Sequence, residues 1–154
     1  MANALAERYR TFAVPEYARI YAEKHTHKLN YEDVMPIAEG QHQLEVNYTL
    51  KANRILFYDT NLLQTKVYSE WYYDKCPNEL DDLIKISKYD FYFLNAVDVP
   101  WEADGIRDQP HHRLELFFKF VNELNQQNAS FAILKGDLEE RLKKATSQIN
   151  QLYF

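Results

Sequence analysis

The sequence predicts an α/β fold in which an open parallel sheet is flanked by helices. Four short apolar segments have the composition of strands, and segments with apolar residues spaced near 3.6 lie between them. Strands that alternate with helices of this length favour a parallel sheet. We expect residues 1–154 to form a single domain, since a chain of this length buries a substantial core.

The predicted strands are residues 11–15, 54–60, 89–96 and 130–135. The last three are nearly continuous in hydrophobic residues, which suits strands that are covered on both faces. Ligands of parallel α/β sheets bind outside the carboxyl ends of the strands. Polar residues follow all four predicted strands, so the sequence places a candidate site at this edge.

Six segments have helical patterns: residues 4–9, 16–25, 31–53, 77–87, 111–127 and 137–152. Pro36 falls in the first turns of the third, where a missing N–H costs little, and Gly40 lowers its helix propensity. Asp137, directly after Gly136, is a predicted N-cap of the last helix.

Charge and cysteine content limit the classes of function. The net charge of −5 disfavours a nucleic-acid or acidic-membrane surface, because both need a basic face. A small ligand or a protein partner is therefore expected. The single Cys76 forms no internal disulfide, and neither a signal peptide nor a run of about 18 apolar residues is present. These features predict a cytoplasmic protein.

Two strand ends carry candidate catalytic carboxylates. Asp59, in "ILFYDT", suits a magnesium ligand, and the alternative is that it caps the next helix. Thr60 beside it is a candidate substrate contact. Glu16 could accept a proton from a substrate hydroxyl, with Arg19 orienting it or binding phosphate. The alternative is an exposed i,i+3 ion pair between them.

The segment 98–113, "DVPWEADGIRDQPHHR", follows the third strand and is predicted to be a lid over the site. Arg107 and Arg113 suit a phosphoryl group through their planar forks. Asp98 and Asp104, among these arginines, indicate either an ion-pair network or contacts to a polyhydroxylated ligand. A surface loop held by ion pairs remains the alternative.

Aromatic side chains could contribute a stacking surface. Trp71 and Trp101 could each stack on a flat ring, although most aromatic groups of this kind belong to a core. A zinc site is not expected, because the histidine pairs lack a convincing third ligand.

"FAVPEYAR", "ILFYDTNLLQTKVYSEWYY", "YDFYFLNAVDVPWEADGIRDQPHHR" and "ILKGDLEERLKKA" together resemble the ribosylnicotinamide kinase domain of the bifunctional NAD-biosynthesis regulators. That family belongs to the P-loop kinase-like ATPases, with a three-layer fold. The resemblance covers residues 2–145, and D-x-P-W-x-x-D-G-x-R is its most specific part. It implies transfer of the ATP γ-phosphate to the 5′-hydroxyl of nicotinamide riboside, with ATP and magnesium as cofactors.

The sequence departs from this family at its start, because it has neither the first strand nor the phosphate loop G-x-x-x-x-G-K-[ST]. We therefore expect an N-terminally truncated kinase domain that is inactive alone. The alternative is that the chain has rearranged, or self-associates, to cover the gap left in its sheet. The alternatives are a binding module without catalysis and a kinase for another nucleoside.

The resemblance also implies individual roles. Glu16 is the implied base, and Asp59 binds magnesium or substrate hydroxyls. Arg107 and Arg113 are implied phosphate ligands, and the turn Gly136–Asp137 lies near the adenine. The candidate substrate contacts are Arg19, Thr60, Trp71, Asp98, Trp101 and Asp104.

Overall fold

A computed structural model describes residues 1–25, 28–100 and 112–154. These residues form two compact units, one of residues 2–88 and one of residues 89–154 together with Met1. The interpretation of residues 1–154 as one domain remains a prediction.

The first unit contains five helices, two strands and a short 3₁₀ turn among its described residues. In chain order they are α1 (Ala2–Arg8), β1 (Ala13–Val14), α2 (Tyr17–Lys24), the 3₁₀ turn (Tyr31–Asp33), α3 (Val34–Thr49), β2 (Phe57–Tyr58), α4 (Leu62–Tyr73) and α5 (Asn78–Ile86). β1 and β2 pair in parallel, with Ala13 opposite Phe57 and Val14 opposite Tyr58. The core of the helices lies between α3, α4 and α5, where Ala38, Leu62 and Leu80 are fully buried.

The second unit contains β3 (Tyr92–Asn95), α6 (Arg113–Gln126), β4 (Phe131–Leu134) and α7 (Leu138–Tyr153). β3 and β4 also pair in parallel, from Tyr92 opposite Phe131 to Asn95 opposite Leu134. Asp137 caps α7 by accepting a hydrogen bond from the Glu140 N–H, while the Glu140 carboxylate accepts one from the Asp137 N–H, so the predicted N-cap is confirmed.

The predicted α/β architecture with parallel strands is confirmed. Each observed strand lies inside a segment predicted from its apolar run, although each is shorter than the segment. The described strands form two small sheets of two strands each. Each strand therefore has one hydrogen-bonded neighbour in its sheet. We expected β3 to be covered on both faces, but it is half-buried, and Asn95 at its end is exposed.

Helix α4 was not among the predicted helices. Its residues include Thr65, Val67 and Trp71 together with several tyrosines, which are residue types enriched in strands. Packing overrides this preference, because Leu62, Leu63 and Val67 are all buried. A local signal was present at Asn61, whose side chain accepts a hydrogen bond from the Gln64 N–H at 3.2 Å and so caps the helix.

Within the described ranges, no helix is both long enough and apolar enough to cross a membrane.

Candidate functional site

Glu16 and Arg19 lie where the chain passes from β1 into α2. Glu16 is the N-cap residue, but its side chain makes no capping hydrogen bond. Instead its carboxylate lies 3.5 Å from Nε of Arg19, with the Glu16 side chain only 21% exposed. The structure thus contains the i,i+3 ion pair that the sequence left as an alternative. The pair also holds the carboxylate at the carboxyl end of β1.

Asp59 follows β2 and lies at the same edge of this small sheet. Its backbone N–H donates to the Val14 carbonyl at 3.0 Å, which continues the pairing of β1 with β2 by one residue. Its side chain is exposed, and Asn61 is the residue that caps α4. The alternative that Asp59 caps the helix is therefore wrong. Glu16 and Asp59 follow neighbouring parallel strands, so the first unit contains two of the predicted site carboxylates at one edge.

Gln41 connects the two segments that carry these carboxylates. It lies on α3 and is 2% exposed. Its Oε1 accepts the backbone N–H of Tyr17 at 2.9 Å, and its Nε2 donates to the Thr60 carbonyl and to Glu45 Oε1, both at 3.3 Å. Sequence reasoning missed Gln41, because a glutamine inside an amphipathic helix has no local signal that separates it from a surface residue.

Gly40, the neighbour of Gln41, allows Tyr17 to approach α3 closely. A Cβ at this position would lie 1.9 Å from Cε1 of the Tyr17 ring. The glycine that the sequence marked only as a helix cost therefore leaves space for the first residue of α2.

A second group of polar contacts surrounds Asp98 in the other unit. Its carboxylate accepts the Gly136 N–H at 2.7 Å and forms an ion pair with the Arg141 guanidinium. Arg141 is 6% exposed and also donates to Asn95 Oδ1 at 3.0 Å and to the Gly136 carbonyl at 2.7 Å. The hydrogen bond from Gly136 and the Arg141 charge lower the pKa of Asp98. Asp98 thus pairs with an arginine that sequence reasoning did not select.

The turn Gly136–Asp137 joins β4 to α7. Gly136 has φ +91°, a conformation that residues with a Cβ rarely adopt, and a Cβ there would lie 2.0 Å from the Glu140 carboxylate. The turn therefore has a fixed backbone shape at the carboxyl end of β4. Its implied role near adenine remains a prediction.

The structure places two of the remaining candidates on helices. Arg113 is the first residue of α6, preceded by the N-cap His112, and Trp71 is half-buried on α4. Trp101, Asp104 and Arg107 lie outside the described residues, so their roles remain predictions. Asp98 belongs to a different unit from Glu16 and Asp59. The predicted common edge for all three carboxylates therefore remains a prediction.

One open cavity of about 440 Å³ lies in the first unit, between the 3₁₀ turn and the start of α5. Its lining includes Tyr31, Met35 and Cys76 and none of the predicted site residues. We give it less weight than the strand ends, because it is wide open to solvent. Among the described residues, no three His, Cys, Asp or Glu side chains are grouped as metal ligands.

A family model described as an AAA domain matches residues 1–141. The chain belongs to the AAA domain family. Two curated relatives are the trifunctional NAD biosynthesis/regulator protein NadR of Escherichia coli (strain K12) and that of Salmonella typhimurium. Each is 26% identical over 160 residues, which cover 99% of this chain and 39% of the relative. The chain thus spans about two-fifths of the length of these relatives.

A solved structure supports the same assignment at the level of the fold. The crystal structure of NadR protein in complex with NR superposes on this AAA domain with a TM-score of 0.85 at 19% identity. The match covers 97% of this chain and 46% of that chain. The resemblance stated from the sequence motifs is therefore confirmed, and so is the P-loop kinase-like class of fold.

Proposed function

We propose that this chain forms the acceptor-binding part of an ATP-dependent kinase that phosphorylates nicotinamide riboside in NAD metabolism. The observation that carries the proposal is the position of Glu16 and Asp59 after two neighbouring parallel strands. The similarity to NadR along nearly the whole chain supports the riboside as the acceptor.

Glu16 would act on the acceptor hydroxyl. In the proposed reaction the riboside 5′-oxygen forms a bond to the γ-phosphorus while the bond from that phosphorus to the leaving ADP oxygen breaks. Glu16 takes the hydroxyl proton, which requires an ionised carboxylate within hydrogen-bond reach. The Arg19 guanidinium lies 3.5 Å from this carboxylate.

Asp59 fits a magnesium ion as a single protein ligand. Mg²⁺ accepts one or two carboxylates and completes its shell with waters and substrate phosphates. The Asp59 side chain is exposed at the strand end, and no partner for its carboxylate is found among the described residues. When bound, the ion would neutralise charge on the transferred phosphoryl group. Thr60 and Arg19 lie beside these carboxylates in sequence and remain candidate acceptor contacts.

The phosphate loop that binds ATP in P-loop kinases is not found in these residues. The 154 residues contain no G-x-x-x-x-G-K-[ST] sequence, so the backbone donors that hold ATP phosphates are missing from them. We therefore propose that this chain binds the riboside but binds Mg-ATP weakly by itself. Arg107, Arg113 and the Gly136–Asp137 turn remain the proposed nucleotide contacts. Cytoplasmic location and self-association also remain predictions.

Calorimetric titration of the chain with nicotinamide riboside tests the proposal. Glu16→Gln should weaken binding about tenfold or more, because a charged hydrogen-bond partner of the acceptor hydroxyl is lost. Glu23→Gln, an exposed carboxylate on the same helix as the Glu16 cap, should leave the affinity unchanged. Absence of riboside binding by the unmodified chain would refute the proposal.

A parallel titration with Mg-ATP and with other nucleosides separates the alternatives. Equal affinity for several nucleosides would favour a kinase of another specificity. Micromolar affinity for Mg-ATP would contradict the expectation that the phosphate loop is required.

A further inference from the structure

We propose that Gln41 is a positioning residue that sets the separation of Glu16 and Asp59 in the acceptor site. This inference rests on the function proposed above. It concerns a residue that touches neither the substrate nor the metal in that proposal. Gln41 acts through the backbone of the two segments that carry the carboxylates.

The side-chain amide of Gln41 makes three hydrogen bonds, and two of them join these segments. Its carbonyl oxygen accepts the N–H of Tyr17, the residue after Glu16. Its amide group donates to the carbonyl of Thr60, the residue after Asp59. The second amide bond goes to Glu45, one turn along α3. A single side chain therefore spans from the start of α2 to the end of β2.

The sheet that precedes these segments is short. Two residues pair from each strand, and the Asp59 N–H adds one hydrogen bond to the Val14 carbonyl. The first N–H groups of a helix also lack partners within the helix, and the Glu16 side chain does not cap α2. Gln41 supplies the missing acceptor for Tyr17. A buried glutamine in this position therefore determines where both carboxylates lie.

The close approach of Tyr17 to Gly40 shows independently that the start of α2 packs against this part of α3. Space for the Tyr17 ring exists because residue 40 has no Cβ. Gly40 fixes the ring of Tyr17 by shape, while Gln41 fixes its backbone by a hydrogen bond. The two neighbours together leave little freedom for the residue that follows Glu16.

A double-mutant cycle on riboside affinity distinguishes positioning from a general structural role. The variants are Gln41→Met, Glu16→Gln and the double variant, each titrated with nicotinamide riboside by calorimetry. If Gln41 acts through Glu16, Gln41→Met should weaken binding about tenfold in the unmodified chain and less than about twofold in the Glu16→Gln chain. A general loosening of the fold would weaken both by the same factor.

Gln43→Met is the matched control. Gln43 lies on the same helix, is exposed and donates a hydrogen bond to Asn47 at 3.3 Å. It should keep the affinity of the unmodified chain. Gln41→Asn serves as a milder variant if Gln41→Met does not fold, because a shorter amide keeps the polarity but cannot reach all three partners.

The outcomes separate the two proposals. If the unmodified chain does not bind the riboside, or if Glu16→Gln binds as tightly as the unmodified chain, the proposed function fails and this inference with it. If Glu16→Gln is weakened but Gln41→Met is not, only the inference fails. Equal weakening in both backgrounds, or loss of circular dichroism in both Gln41 variants, assigns Gln41 a general structural role and also overturns the inference.

Discussion

The Arg141 guanidinium forms an ion pair with the carboxylate of Asp98, which lies 43 residues earlier in the chain. This pair joins the segment after β3 to the first turn of α7. Asp98 was selected from the sequence as a substrate contact, and the structure shows its carboxylate already engaged by Arg141 and by the Gly136 N–H. A substrate hydroxyl at Asp98 would have to share the carboxylate with the Arg141 guanidinium and the Gly136 N–H.

Arg141→Met should destabilise the protein. The substitution keeps the aliphatic stem but removes donors to Asn95, Ala96 and Gly136, and the loss of hydrogen bonds by a buried group costs about 1–3 kcal/mol. Urea unfolding followed by circular dichroism measures the change. Lys143→Met, an exposed position on the same helix, is the control. Equal stability of the two variants would contradict the structural role of Arg141.

The contribution of Asp98 to stability should depend on pH. Its pKa in the folded protein lies below the ordinary value of 3.8, chiefly because the Gly136 N–H donates to the carboxylate. A lowered pKa stabilises the fold above the unfolded pKa, and this stabilisation is lost as the pH falls through the folded pKa. Asp98→Asn should therefore be less stable than the unmodified chain at neutral pH, and the difference should shrink below pH 3.8. Urea midpoints that differ by the same amount at all pH values would refute this.

Gly40→Ala should destabilise the chain, although alanine in a helix interior is normally favoured over glycine by about 1 kcal/mol. The new Cβ would overlap the Tyr17 ring, and overpacking of this kind costs about 1–3 kcal/mol. The double variant Gly40→Ala with Tyr17→Ala removes the clash. It should therefore be less affected than the sum of the two single changes in thermal unfolding. Strict additivity would show that the ring moves aside without cost.

Asn61 and Asp59 should behave in opposite ways. Asn61→Ala removes the cap of α4 and should lower the free energy of unfolding by about 1 kcal/mol with little effect on riboside affinity. Asp59→Ala should weaken binding of the proposed magnesium ion and leave thermal unfolding nearly unchanged, because the side chain is exposed and caps no helix. A large loss of stability in Asp59→Ala would reassign the residue to the fold.

The strands and most helices were predictable because their signals are local. Apolar runs located all four strands, and Asp137 marked the start of α7. Helix α4 was missed because its β-branched and aromatic residues favour strands locally, while the packing of Leu62 and Val67 decides for a helix. Tertiary contacts therefore outweighed the local preference there.

The site was predictable only in part. Strand ends identified Glu16 and Asp59, since parallel strands bring such residues to one edge. Gln41 and Arg141 were not found, because each acts through partners that are far away in the sequence. Gln41 contacts residues 24 positions before it and 19 after it, and Arg141 contacts Asn95 across 46 positions. No spacing rule connects residues over such distances.

The parallel pairing of both sheets has a consequence for how the chain folds. Ala13 pairs with Phe57 and Tyr92 with Phe131, so neither sheet can begin from a hairpin. Each sheet forms only after the long segment between its two strands has brought them together. Contacts of high sequence separation slow folding. The helices, in contrast, form from local contacts. During synthesis the strand segments thus remain without partners for longer than the helices do, and this interval is when the apolar strands are most exposed to association with other chains.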